Sequence, residues 1–69
     1  MRYQVTVWKY DAETLDHRFE CFTNTNYEAI EVFDTLTRGI RGYYRAWCID
    51  LEEDKELRYS SVLHDSIGE

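Results

Sequence analysis

Only one stretch of this chain, residues 25–40, spaces its apolar side chains as a helix does. Most of the rest alternates with the period of two expected of β-strands. Residues 2–10 alternate, with Tyr3, Val5 and Val7 on one side and Gln4, Thr6, Trp8 and Tyr10 on the other. Residues 15–23 repeat the pattern, with Leu15, His17, Phe19 and Cys21 opposed to Asp16, Arg18, Glu20 and Phe22. Residues 42–51 set Tyr44, Ala46 and Cys48 against Tyr43, Arg45, Trp47, Ile49 and Leu51, and residues 55–63 form a weaker strand with Leu57, Tyr59, Ser61 and Leu63 together. Polar Asp11–Thr14 and charged Glu52-Glu53-Asp54 read as the two hairpin connections.

The helix carries its own boundary signals. Thr25 and Glu28 stand three residues apart, as in a capping box, where the hydroxyl and the carboxylate each satisfy a backbone N–H at the helix start. Gly39 is placed to follow the last turn, and Arg38 and Arg41 complement the negative end of the helix dipole. Ala29, Ile30, Phe33, Leu36 and Ile40 share the apolar side, while Glu28, Glu31 and Asp34 face water, with Asp34 able to pair with Arg38 one turn on.

These elements predict an α+β fold of order ββαββ: a four-stranded antiparallel sheet with one helix packed on one face. Two hairpins can be joined around a helix in more than one strand order. The expected core is Val5, Val7, Phe19, Cys21, Ile30, Phe33, Leu36, Ala46 and Cys48. Residues 1–63 are expected to form the domain, with 64–69 as a polar tail. One helix cannot cover both faces of a sheet, and this chain has two Trp, six Tyr and three Phe to place. Trp8, Tyr10, Tyr43 and Trp47 fall on the side away from the helix, with Arg45 among them. Aromatic residues and Arg are enriched at interfaces, so these five are expected to serve self-association or anchoring of a partner. With 69 residues the buried fraction is small, and oligomerisation is a common support for a domain of that size. A homodimer is the expected state.

Charge restricts the partner. Fourteen acids against eight bases give a formal net charge of −6, which repels a phosphate backbone and favours a protein with a basic surface. Glu28, Glu31 and Asp34 of the helix and Glu52, Glu53 and Asp54 of the second turn are the expected contact residues. Carboxylates spread over a surface imitate phosphates, so the sharper expectation is an inhibitor of an enzyme that handles nucleic acid. A compact, acidic, aromatic-rich chain of this kind has a profile shared by many small phage-encoded proteins. The alternatives are an assembly subunit that uses the aromatic face, and a small-ligand binder at a subunit interface.

Chemistry-bearing motifs are missing from the sequence. Asp50–Glu56 holds alternating carboxylates, but Lys55 stands where a calcium loop needs glycine and Ser61 where it needs its bidentate Glu. Cys21, Cys48, His17 and His64 lack metal-ligand spacing, and two cysteines make no disulfide framework. Ser60, Ser61, His64 and Asp65 show no nucleophile elbow. The expectation is a non-enzymatic, cytoplasmic protein without metal or cofactor, bound to neither nucleic acid nor membrane; the N-terminal residues carry no signal-peptide pattern.

Overall fold

A computed structural model describes residues 1–11 and 14–63. Ala12 and Glu13 of the first connection, and the expected tail 64–69 with His64 and Asp65, lie outside the described residues. The element order is β1 (Tyr3–Asp11), β2 (Thr14–Thr23), α1 (Asn26–Arg38), β3 (Tyr43–Asp50) and β4 (Lys55–Val62). The strands form one antiparallel sheet in the order β2-β1-β3-β4. This is the ββαββ α+β fold that the alternation predicts, and it resolves the strand order: β1 and β3 are central, and β2 and β4 are the edges.

The two central strands explain the core. Val5 is registered opposite Cys48, and Val7 opposite Ala46. Val5, Ala46 and Cys48 have no exposed surface at all, and with Val7, Tyr3 and Tyr44 they lie beneath Ala29 and Phe33 of the helix. Val32, Leu36 and Ile40 pack around them. Small or branched side chains on the strands let the helix approach closely, and Phe33 fills the space that remains. The Tyr44 hydroxyl reaches the Ser60 hydroxyl at 2.6 Å, which gives a buried phenol the partner it needs.

Thr25 caps the helix as its spacing predicts. Its hydroxyl oxygen accepts from the Glu28 N–H at 3.2 Å, and the hydroxyl itself donates to the Glu28 carboxylate at 3.0 Å, so the two side chains bind each other where a full capping box would return the carboxylate to the Thr25 N–H. Gly39 follows the last helical residue in a right-handed conformation (φ −93°), so it is Gly42, at φ 89°, whose lack of a side chain the chain reversal into β3 requires.

Several expectations are corrected. Phe19, expected in the core, is 46% exposed, because α1 lies over β1 and β3 and leaves the β2 edge open. Cys21 is half-buried for the same reason, and Ile30 is half-buried because it is Val32 that packs with Phe33 and Leu36 against the core. Two β-bulges change faces that strict alternation would hold constant. Asp16 is the extra residue opposite Lys9/Tyr10, which registers Leu15 with Tyr10 and not with the side of His17 and Phe19. Leu57 is the extra residue opposite Cys48/Ile49, and it packs against the core while Tyr59 and Ser61 stand opposite Trp47 and Arg45. No Asp34–Arg38 pair occurs among the described residues.

Both cysteines are free. Val5 is registered with Cys21 on one side and Cys48 on the other, so β1 runs between them. Two strand spacings make about 9.5 Å, beyond disulfide reach. Burial raises the pKa of the Cys48 thiol, so it stays protonated.

Candidate functional site

The helix-free face is built by the alternate residues of the same strands that make the core. Register brings the expected anchors together: Trp8 opposite Arg45, Thr6 opposite Trp47 and Tyr10 opposite Tyr43, with Tyr59 opposite Trp47 on the other side. The Trp8 and Trp47 rings meet edge to face, with centroids 5.1 Å apart and planes at 69°. This arrangement places the positive edge of one ring against the negative face of the other. The Arg45 guanidinium lies 5.6 Å from the centroid of Trp47, a cation–π contact.

These side chains lie along the sheet and cover part of it themselves. Trp8, Tyr10, Tyr43, Arg45, Trp47 and Ile49 are each half-buried, and Thr6 is only 3% exposed although the helix is on the other side. The face expected to be uncovered is therefore half closed by its own aromatics. Tyr59, 48% exposed, is a member of the cluster that strict alternation groups with Leu57; the bulge at Leu57 is what places it here.

Arg45 is the polar centre of the platform. Its pKa is raised chiefly by the neighbouring Tyr59 hydroxyl, with a smaller contribution from Tyr10. The Tyr59 phenol is shifted down, first by Ser61 and then by Arg45. The Arg45 Nε is buried and has no hydrogen-bond partner among the described residues. At the rim, the Gln4 amide donates to Glu20 at 2.9 Å, and Trp8, Arg18 and Glu20 line a shallow hollow of about 380 Å³.

The acidic residues fall elsewhere. Glu28 and Glu31 line a groove of about 500 Å³ between α1 and β2, together with Cys21, Val32 and Leu36. Asp34 is exposed further along the helix, and the Glu31 carboxylate raises the pKa of the Tyr27 hydroxyl. Tyr3 is registered with both Thr23 and Asp50, so the helix start and the β3–β4 turn share one end of the sheet. Glu28 and Glu52–Asp54 are thereby brought to the same end, on elements that leave the aromatic face free.

The turn is not purely negative, because Arg2 sits within it. The Arg2 guanidinium binds Asp50 through two contacts, at 2.9 and 2.8 Å, and approaches Glu53 at 3.4 Å and Glu52 at 3.8 Å. Asp50 is 3% exposed and also accepts from the Glu52 and Glu53 N–H groups at 3.1 and 3.3 Å. Arg2, foremost, and these N–H groups hold the Asp50 carboxyl down to about 2. Asp50 thus organises the turn that displays Glu52, Glu53 and Asp54, a role that the acidic composition of the segment hides. Asp54 takes a positive φ of 53° at the tip.

Among the described residues no three His, Cys, Asp or Glu side chains converge as metal ligands do, and no helix is long and apolar enough to cross a membrane. No family model, curated protein or solved structure matches the chain significantly, so its own geometry carries the functional reading.

Proposed function

We propose that this chain is a non-enzymatic protein-binding module. Its net charge of −6 draws a partner with a basic surface, and the helix-free face anchors that partner through Trp8, Tyr10, Tyr43, Arg45, Trp47 and Tyr59. The observation that carries this reading is the Trp8–Trp47 pair with Arg45 laid over Trp47. Large side chains held in place before contact lose little freedom on binding, and Trp, Tyr and Arg supply most hot-spot energy.

In its sharper form the partner is an enzyme that handles nucleic acid, with Glu28, Glu31, Asp34, Glu52, Glu53 and Asp54 standing in for phosphates, as in phage anti-defence proteins. Photo-crosslinking tests the reading. With a photoreactive phenylalanine analogue at Tyr43, irradiation in a cell lysate is expected to give adducts with basic proteins. Those adducts should fade as salt rises and on joint reversal of Glu28, Glu31 and Asp34 to Lys. Adducts indifferent to both changes remove the acidic selection, and a face that yields no adduct removes the docking role.

A further inference from the structure

The two sheet edges differ in how they are protected. An edge strand offers unpaired N–H and C=O groups, and proteins blunt it with bulges, lysines or prolines. On β4 the bulge at Leu57 leaves regular pairing only from Arg58 to Val62, and Lys55 opens the strand. On β2 the bulge at Asp16 lies near the hairpin end, and pairing with β1 is regular from His17 to Thr23. The strand has no Lys and no Pro, and no described segment lies on its outer side. It also presents Phe19 and Phe22, each 46% exposed.

The charges on this edge are self-complementary. Arg18 and Glu20 flank Phe19 symmetrically, and both lie on the helix-free face. An antiparallel copy of β2 that places Phe19 opposite Phe19 sets Arg18 against Glu20 of the second copy, and Glu20 against its Arg18. A slide of one residue pair in either direction sets Arg18 against Arg18 or Glu20 against Glu20. Opposite charges facing across strands stabilise a pair and like charges destabilise it, so the sequence of the strand selects one register. We infer that two copies join through β2 about a two-fold axis at Phe19, making one continuous eight-stranded sheet.

The occupant of this edge is thus a second copy, named by the charge register. The axis runs perpendicular to the sheet, so both helices lie on one side and both aromatic platforms on the other. The dimer doubles the platform without covering it, and two linked platforms gain by avidity. Phe19, left in water by the position of α1, meets its counterpart at the centre, where cross-strand aromatic pairs are favourable. The inference stands without the partner proposed above, since it needs only this chain.

Sedimentation equilibrium over a wide concentration range tests it. The wild type is expected to dimerise, and Arg18→Glu and Glu20→Arg each to weaken the dimer about tenfold, because two attractive contacts become repulsive. An equimolar mixture of the two variants should regain wild-type affinity. One variant then carries acids at both flanking positions and the other carries bases at both, so every facing pair is again of opposite charge. Circular dichroism checks that each variant keeps the fold. As a second measurement, Phe19→Cys in a Cys21→Ser background should form an intermolecular disulfide under mild oxidation, because directly opposed strand residues lie within reach. A wild type that stays monomeric at every concentration overturns the inference. So does a dimer indifferent to both charge variants, or a mixture that regains nothing.

Discussion

The two faces of this sheet are made by alternate residues of the same two central strands, yet they exclude water by different means. On the helix side, Val5, Val7, Ala46 and Cys48 are small, and a second layer, chiefly Phe33 and Ala29, covers them. On the other side there is no second layer among the described residues, yet Thr6, registered opposite Trp47 and two residues from Trp8, is only 3% exposed. The treatment of charge differs too. The helix-side Asp50 is buried with Arg2 fully engaged, whereas Arg45 on the open face keeps a buried donor without an acceptor. A face that closes itself is stable enough to exist alone, while its half-exposed rings keep something to gain from contact. That combination is what the proposed docking role rests on, whereas the fully closed face is a core.

The comparison breaks most severely at Phe33. Phe33→Ala is expected to cost about 3–5 kcal/mol, enough to unfold most of a domain of marginal stability. Urea denaturation followed by circular dichroism reads this loss, and a cost near that of an exposed residue would mean the helix is not the lid of the core.

The next effect comes from Asp50. Its folded pKa of about 2 lies below the unfolded value of about 3.9, so its contribution is fully present above pH 4 and is lost as pH falls toward 2. The urea midpoint of the wild type should drop across that window. Asp50→Asn should start lower at neutral pH and show a shallower acid decline. An unchanged acid limb in the variant would show that another carboxylate governs it.

On the open face Trp8→Ala is expected to cost only about 1–2 kcal/mol, since a half-buried ring and one edge-to-face contact are lost. It should also leave Trp47 more accessible to acrylamide. A cost as large as that of Phe33→Ala would make this face a second core. Thr25→Ala, which removes the cap of α1, should cost about 1 kcal/mol without altering Trp fluorescence.

The sequence shows most of the fold because its local signals agree. Strict alternation in β1 and β3 assigns every side chain to its observed face, and the Thr25/Glu28 box starts the helix where the structure does. What alternation cannot show is where it fails. Each bulge adds a residue without changing composition, so alternation groups Leu15, Leu57 and Tyr59 with the wrong neighbours. It misplaces Phe19 because a period of two says which face a residue takes, and not how far the helix extends over the edge strand. The aromatic site is legible residue by residue, from Trp8 to Trp47. Its self-coverage is not, because that depends on how large side chains lie across neighbouring strands. Arg2 and Asp50 sit 48 positions apart, and no spacing links them.

One dilution experiment separates face from edge. With Trp8→Phe, Trp47 is the sole indole and reports the helix-free face from β3, two strands away from the β2 edge. Mass and Trp47 emission would be followed together as the protein is diluted. The account predicts that mass falls from dimer to monomer while emission wavelength and acrylamide quenching stay constant, because the face is equally open in both states. An emission that shifts to the red in step with the loss of mass would contradict it, and would place the aromatic face inside the self-interface.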